Sequence, residues 1–203
     1  MAVITISRQF GAGGKTLGKM VADQLGYEFA DSEIIKMVAE MANVSTHWVE
    51  TVEKEAGGKL SRFLSKMVSK PLVERVLKDE RGYIDEEIYL DYLVLIIAQI
   101  ADEGDVVILG RGSQYILNDH PEACHILLID EFENRVQFMV DHYDLSNSSA
   151  THIVKAEDKR RKNLYQKLGK TDYDNPFLYH MVLNMSKINL DDALDQIFQL
   201  TKS

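Results

Sequence analysis

The stretch that decides the fold stands at the start of the chain and reads Val3-Ile-Thr-Ile-Ser-Arg-Gln-Phe-Gly-Ala-Gly-Gly-Lys-Thr16. It opens with a short β-branched run, and glycines follow soon after it. Apolar residues then recur with helical spacing at Leu17, Met20, Val21 and Leu25. The pattern predicts a strand, a glycine loop and a helix, in that order. Such a loop lies at the carboxyl edge of a sheet, where the free N–H groups of a helix start bind anions.

The rest of the chain alternates strands and helices. Four further runs are predicted as strands, at 27–30, 106–109, 125–129 and 181–183. The helices between them include a strongly apolar one at 86–101. Another follows the fourth strand, where Asp130 and Glu133 resemble a capping box. This alternation predicts an α/β fold with a mostly parallel sheet covered on both faces.

Composition and charge exclude several classes of protein. The 203 residues suit a single domain, and 32 acidic against 23 basic residues give a net charge of −9. That charge argues against a general nucleic-acid binder or a membrane-surface binder. The most apolar window, Leu93 to Ala101, is shorter than the roughly 20 residues that span a bilayer, and the N-terminus lacks a signal-peptide pattern. The lone Cys124 is predicted as a buried apolar side chain in a reducing compartment, so we expect a soluble cytoplasmic protein.

The glycine loop nearly matches the phosphate-loop pattern GxxxxGK[ST]. Gly14-Lys15-Thr16 fits the end of that pattern, but Gln9 stands at the first glycine position. Consecutive glycines let backbone amides converge on an anion. Lys15 adds positive charge, and Thr16 offers a hydroxyl to Mg²⁺. These features predict a mononucleotide phosphate site, with a solvated glycine turn as the plain structural alternative.

The loop also nearly matches the dinucleotide pattern GxGxxG. Gly11 and Gly13 fit, but Thr16 stands at the third glycine position. Asp31 lies about where a ribose-binding acid is expected in that pattern, roughly 20 residues further on. A dinucleotide-dependent oxidoreductase is therefore a competing interpretation, although hydride transfer has little use for Lys15.

Charged residues elsewhere are candidates for the same sheet edge. Arg111 stands between two glycines after the strand at 106–109, where a guanidinium can bind a phosphate or form a surface ion pair. Asp31 follows the second strand and is either a ligand-facing carboxylate or a helix N-cap. The basic run 155–163 is polar around the whole helix, so it is either solvated or closes over an anion as a lid.

Five blocks of sequence stand in a characteristic order along the chain. They are Ile6-Ser-Arg-Gln-Phe-Gly-Ala-Gly-Gly-Lys15 with Gly18, Phe29-Ala-Asp-Ser-Glu-Ile-Ile35, Val107-Ile-Leu-Gly-Arg-Gly112, Asp158-Lys-Arg-Arg161 with Tyr165, and Asp172-Tyr-Asp-Asn-Pro176 with Tyr179 and Val182-Leu-Asn184. Together they resemble the cytidylate kinase-like proteins, a branch of the P-loop nucleoside monophosphate kinases. The resemblance covers most of the chain.

This resemblance implies one P-loop kinase domain over residues 1–203, a three-layer fold with a five-stranded parallel sheet. It implies a monophosphate-binding insertion at 41–84 and a lid at 151–170. It also implies transfer of the γ-phosphoryl group of ATP to CMP or dCMP, with Mg²⁺. The partners would be small-molecule nucleotides, and neither nucleic acid nor a membrane.

The resemblance also implies roles for particular residues. Gly11, Ala12, Gly13, Gly14, Lys15 and Thr16 would hold the ATP phosphates, with Thr16 toward Mg²⁺. Arg8, Asp31, Arg111 and Arg135 would face the acceptor nucleotide. Lys15, Arg111, Asp158 and Arg161 would act in the transfer, the last two as a pair in the lid. In typical cytidylate kinases the loop lysine directly follows Gly-Ala-Gly, whereas this chain has Gly14 there and Lys15 one position later.

Two further activities stay open beside the expected one. The altered loop is compatible with a non-catalytic module that binds ATP without turnover. The same loop and arginines also suit a kinase for a different small phosphate acceptor.

Overall fold

The structure is a computed structural model that describes residues 3–31, 34, 37 and 86–201. Its contacts divide the chain into two compact units, one made of residues 1–31 and 98–203 and the other of residues 32–97. The glycine loop and all the described strands belong to the first unit. The predicted insertion at 41–84 lies outside the described residues.

Five strands and six α-helices make up the described part of the chain. The strands are β1 (Val3–Arg8), β2 (Glu28–Ala30), β3 (Val106–Leu109), β4 (Ala123–Ile129) and β5 (Met181–Asn184). The helices are α1 (Gly14–Leu25), α2 (Glu86–Glu103), α3 (Ser113–Ile116), α4 (Phe132–Tyr143), α5 (Asn147–Lys167) and α6 (Leu190–Thr201), with a 3₁₀ turn at Pro176–Leu178. The predicted strands and the apolar helix are all present, with ends that shift by at most two residues. No helix in the described ranges is long and apolar enough to cross a bilayer.

The five strands form one sheet in the order β2-β3-β1-β4-β5, and every neighbouring pair is parallel. Val3 of the central strand β1 lies opposite Val106 of β3 on one side and Ala123 of β4 on the other. Strands covered on both faces need continuous apolar runs, and all four residues of β3 are buried. The predicted α/β fold with a five-stranded parallel sheet is confirmed.

The strand order also bears on the dinucleotide interpretation. In the dinucleotide-binding fold β2 lies directly beside β1. Here β3 lies beside β1, and β2 is at the edge of the sheet. The topology therefore gives the oxidoreductase interpretation no support.

One face of the sheet carries the main apolar core of the first unit. Ile4 and Ile6 of β1 pack with Leu17 of α1 and Ile197 of α6, and all four side chains are fully buried. Cys124 is buried in β4 within the same cluster, as the sequence predicts. Because Leu17 lies one turn into α1, this packing also fixes the start of the helix at the carboxyl end of β1.

A second apolar cluster joins α4 to α5. Val136 and Met139 of α4 pack against Ala150 and Val154 of α5. The basic run 155–163 continues α5, and six of its nine residues are exposed. The N-terminal half of α5 is therefore anchored by apolar contacts, while most of the basic run faces solvent.

The predicted capping box at the start of α4 is wrong by one position. The N-cap of α4 is Glu131, and its side chain makes no capping hydrogen bond. Asp130 instead lies just before the N-cap, and its Oδ1 accepts from Glu131 N over 2.8 Å and from Asn134 Nδ2 over 3.1 Å. Because the helix begins later than predicted, Glu133 is not at the third helical position that a capping box requires.

A buried histidine stands at the opposite, amino-terminal side of the sheet. His125 of β4 is 3% exposed, and 2.8 Å separates its Nδ1 from Thr5 Oγ1. Its backbone N donates to His180 Nδ1 over 3.0 Å, and the two imidazole rings lie 5.4 Å apart. Burial, followed by the nearby charge of His180, lowers the pKa of His125 from 6.5 to about 4.

This lowered pKa predicts acid sensitivity. Between pH 6.5 and about pH 4 the unfolded chain binds a proton at His125 that the folded protein excludes. Stability from this residue is therefore complete above pH 6.5 and is lost as the pH falls to about 4, by up to about 3 kcal/mol. Urea denaturation across this range should show a shallower pH dependence for His125→Asn than for the unchanged protein. Equal slopes in the two proteins would contradict the assignment.

Candidate active site

The glycine loop and the turn Gly110-Arg111-Gly112 follow adjacent strands at the carboxyl edge of the sheet. Gly110 N donates to Ile6 O over 3.0 Å, which joins the ends of β3 and β1. The chain leaves β1 toward β2 on one side and leaves β4 toward β5 on the other. α/β sheets bind ligands in the crevice where connections diverge in this way. The structure thus places Arg111 at the edge that the sequence predicts.

The glycine loop presents an uncapped helix start. Gly11 and Gly13 have φ of 88° and 77°, in the left-handed region that side chains other than glycine rarely adopt. Gly13 is the N-cap of α1, and no side chain caps the helix there. The N–H groups of the first helical turn, from Gly14 on, have no acceptor within the helix. A helix start of this kind has free backbone amides that can bind an anion.

Gln9 stands where the phosphate-loop pattern has its first glycine, and it is hydrogen-bonded to the end of β4. Gln9 N donates to Leu128 O over 3.0 Å, and Gln9 Oε1 accepts from Asp130 N over 3.0 Å. Both contacts tie the start of the loop to the end of β4. Sequence analysis treated Gln9 as a departure from a pattern, whereas the structure gives it a positioning role.

Lys15, in the first turn of α1, forms an ion pair with Asp31, which directly follows strand β2. Lys15 Nζ lies 3.4 Å from Asp31 Oδ2. The Lys15 side chain is 67% exposed, whereas that of Asp31 is 14% exposed. Thr16 is exposed beside Lys15 in the first turn of α1. The helix that Asp31 was expected to cap begins outside the described residues.

The turn after β3 holds three successive residues in the left-handed region. The φ angles of Gly110, Arg111 and Gly112 are 71°, 61° and 75°. For Arg111 such a conformation is strained, and strain of this kind concentrates at binding sites. Arg111 Nε is buried and has no hydrogen-bond partner in the described part of the chain. The fold therefore holds a guanidinium with unused donor capacity at the ligand edge of the sheet.

Asp158 and Arg135 both form hydrogen bonds with the backbone of Phe10, at the start of the glycine loop. Asp158 Oδ1 accepts from Phe10 N over 3.2 Å, and Arg135 Nη1 donates to Phe10 O over 3.1 Å. The two side chains also pair with each other, with 2.8 Å between Arg135 Nη1 and Asp158 Oδ2. Arg135 was predicted to face the acceptor nucleotide, and the structure places it against the loop backbone with its side chain 8% exposed.

Arg161 pairs with Asp174 and not with Asp158. Its two terminal nitrogens donate to the two Asp174 oxygens over 2.8 and 2.6 Å. Burial is the largest single effect and lowers the pKa of Arg161, but the hydrogen bonds to Asp174 and the nearby charges of Tyr165, Asp174 and Asp158 together hold that pKa above its ordinary value. The Tyr165 ring lies under the guanidinium at 5.6 Å and meets the Tyr115 ring edge-on at 5.1 Å. Asp158 and Arg161, the two residues expected to act in the lid, thus each form an ion pair with a residue outside α5, Arg135 and Asp174 respectively.

Arg8 completes a group of cationic side chains at this edge. It is the last residue of β1 and is partly buried. The positive charges of Arg111 and Arg161 are near enough to affect its pKa. Desolvation lowers the pKa of Arg8, the Asp31 carboxylate opposes that effect, and the two arginines lower the pKa further. The positive charges of Arg111 and Arg161 thus act on Arg8, and an anion near these guanidinium groups would be favoured.

Two of the site's structural residues escaped prediction as site residues. Asp174 lies inside a sequence block that carried the family resemblance, but nothing in its spacing showed that it would bind Arg161. Phe10 takes part through its backbone, which no side-chain pattern reveals. A metal-ligand cluster of histidine, cysteine or carboxylate groups is absent from the residues that the structure describes.

A protein-family model covers most of this chain. The sequence model of the cytidylate kinase-like family matches residues 3–187. The chain belongs to the cytidylate kinase-like family. The match extends from β1 through β5 and so includes every part of this family member's site described above. No curated protein matches this sequence.

Solved structures share the fold of this cytidylate kinase-like protein at low sequence identity. An uncharacterised protein of Eubacterium ventriosum has a TM-score of 0.70 at 16% identity, covering 100% of this chain and 99% of that one. Shikimate kinase of Acinetobacter baumannii, solved with shikimate, has a TM-score of 0.51 at 15% identity, with 98% and 92% coverage. Shikimate kinase of Bacteroides thetaiotaomicron has a TM-score of 0.51 at 14% identity, with 100% and 99% coverage. The fold is therefore one that small-molecule kinases use.

Proposed function

We propose that this protein transfers the γ-phosphoryl group of ATP to a nucleoside monophosphate, with CMP or dCMP as the acceptor. One observation carries the proposal: the uncapped start of α1 and the arginine turn at 110–112 follow adjacent, hydrogen-bonded strands. Phosphoryl transfer depends mainly on positioning and charge neutralisation. A backbone anion site beside fixed guanidinium groups supplies both. Family membership and the fold shared with shikimate kinases support a phosphotransferase.

The residues of the glycine loop fit the phosphates of ATP. Gly11 and Gly13 are in the left-handed region, which anion-binding backbone loops use, and Gly13–Gly14 opens an uncapped helix. Mg²⁺ bound to a nucleotide is held by few protein groups together with the phosphates and water. The exposed Thr16 hydroxyl is such a group, so a dense carboxylate cluster is not required. Mg²⁺ would neutralise charge on the phosphates.

The arginines fit the acceptor side. In the transfer, a bond forms from an acceptor phosphate oxygen to the γ-phosphorus while the bond from that phosphorus to ADP breaks, and the electron pair stays on ADP. Arg111, with its unused Nε, would bind the acceptor phosphate, and Arg161 would neutralise charge as it develops. Asp31, held by Lys15, would face the acceptor nucleoside.

Helix α5 would act as the lid over these phosphates. It contributes Asp158 to the loop and Arg161 to the arginine group, so it is tied to both halves of the proposed site. The exposed basic residues of its run 155–163 add positive charge to an otherwise acidic protein. Closure of such a helix would exclude water from the transferring phosphoryl group.

A coupled assay of ADP release tests the proposal. Mg·ATP is supplied with CMP, dCMP, UMP or AMP, and a reaction without acceptor is the control. We expect turnover with CMP or dCMP well above the control and weak turnover with AMP. ATP binding without turnover on any acceptor would contradict the proposal and favour a nucleotide-sensing module.

A further inference from the structure

The side chain of Arg8 passes through the space that a side chain at position 14 would need. A Cβ built on Gly14 would lie 2.7 Å from Arg8 Cγ, 3.0 Å from its Cβ and 3.2 Å from its Cδ. Gly14 is the first residue of α1 and has no left-handed conformation that would otherwise call for glycine. The absence of a side chain at Gly14 therefore makes room for the stem of Arg8.

The other end of Arg8 reaches the arginine turn. A Cβ built on Gly110 would overlap an Arg8 guanidinium nitrogen, so the guanidinium lies directly against that glycine. Arg111 follows at once, and its buried Nε has no partner in the described residues. Two glycines, one at the start of α1 and one directly after β3, thus leave room for Arg8 to extend from the glycine loop to the residue proposed to bind the acceptor phosphate.

Lys15 does not occupy such a path. In a phosphate loop the lysine reaches the β- and γ-phosphates. Here the Lys15 side chain is 67% exposed and its Nζ lies 3.4 Å from Asp31 Oδ2. The Lys15 ammonium is exposed to solvent and paired with a carboxylate, and both weaken its attraction to a bound phosphate. A partly buried guanidinium between the loop and Arg111 attracts a phosphate more strongly.

We propose that Arg8 is the cation that contacts the transferred phosphoryl group, between the glycine loop and Arg111, and that Lys15 is a positioning residue for Asp31. The inference rests on the proposed function and names a residue of that same site. A guanidinium stays protonated when partly buried and donates two parallel hydrogen bonds to phosphate oxygens. No proton leaves Arg8 in this role, and its donors stabilise charge on the phosphoryl oxygens as the bond to ADP breaks.

Variants Arg8→Met and Lys15→Met test the assignment. Methionine preserves much of the apolar stem of each side chain and removes its positive charge together with its N–H donors. We expect Arg8→Met to lower kcat by about 100-fold or more, and Lys15→Met to have an effect at least about tenfold smaller, mainly on KM for the acceptor. Lys19→Met, at an exposed position of α1, is the matched control for loss of one positive charge. A larger loss of kcat in Lys15→Met than in Arg8→Met would overturn the assignment.

A binding measurement keeps the inference separate from the proposed function. Calorimetric titration with inorganic tripolyphosphate reports phosphate affinity without turnover, and circular dichroism with a thermal melt shows whether each variant is folded. We expect Arg8→Met to weaken tripolyphosphate binding by about tenfold and Lys15→Met by less than about threefold. Unchanged affinity in folded Arg8→Met would overturn the role of Arg8. Failure of the unchanged protein to phosphorylate any acceptor would contradict the proposed function while leaving this binding result intact. If Arg8→Met does not fold, Arg8→Gln, which also lacks the positive charge, is titrated in its place, with the same result expected.

Discussion

Replacing Gly11 with alanine is expected to abolish nucleotide binding and to lower the free energy of unfolding by about 2–4 kcal/mol. Gly11 has φ of 88°, in a region that costs a residue with a side chain about 1–2 kcal/mol. A Cβ there would also lie 2.7 Å from Arg135 O and 2.9 Å from Arg135 Cβ. Because a backbone carbonyl cannot rotate away as a side chain does, the loop or the start of α4 must move.

Gly26→Ala is the matched control for this effect. Gly26 has φ of 71°, but a Cβ built on it meets no described atom within 4 Å. It therefore carries the conformational cost without the close contact. Urea denaturation and ATP titration should show a loss of about 1 kcal/mol and normal ATP affinity for Gly26→Ala. Equal losses of stability and affinity in the two variants would show that the contact with Arg135 does not shape the loop.

Arg135→Met is expected to lower the free energy of unfolding by about 2–3 kcal/mol and to raise KM for ATP. The substitution removes the partner of Asp158, whose side chain is 22% exposed, and the donor to Phe10 O. A partly buried carboxylate left without its cation is destabilising, and Phe10 loses one of its two attachments. The glycine loop should consequently bind phosphates less well, although Arg135 touches no phosphate in this account.

A control variant and a double variant test the expected effect of Arg135→Met. Arg160→Met removes an exposed arginine that lies 3.6 Å from Glu157, and we expect a loss below about 1 kcal/mol in urea denaturation. The double variant Arg135→Met/Asp158→Asn should lose less stability than the two single variants together, because both remove the same ion pair. Strictly additive losses would contradict an energetic coupling between Arg135 and Asp158 through their direct ion pair.

The fold and the location of the site could be predicted from sequence because their signals are local. A β-branched run before glycines, and a helical stripe after them, are contained within residues 3–25. The buried strand at 106–109 leads directly into Gly110-Arg111-Gly112, so its position at the sheet edge follows from chain direction alone. The predicted elements differ from the observed ones only at their ends. At α4 the N-cap is Glu131, one residue later than predicted, and this shift is enough to make the predicted capping box wrong.

The contacts inside the site could not be predicted because they join distant parts of the chain. Asp158 and Arg161 lie three residues apart on one helix, but each forms an ion pair with a residue outside that helix, which the sequence does not reveal. The path of Arg8 depends on Gly14 and Gly110, which come together only when β1 and β3 pair. Either glycine alone in the sequence indicates a turn and not space reserved for an arginine.

The destination of the γ-phosphoryl group tests the central claim most directly. ATP labelled in its γ-phosphate is incubated with Mg²⁺, the protein and CMP, and the products are separated. The account predicts that the label appears in CDP in proportion to the ADP formed, and that Arg8→Met reduces both together. Label found only in inorganic phosphate, or remaining in ATP with CMP and with dCMP alike, would contradict the assignment of this protein as a kinase of pyrimidine nucleoside monophosphates.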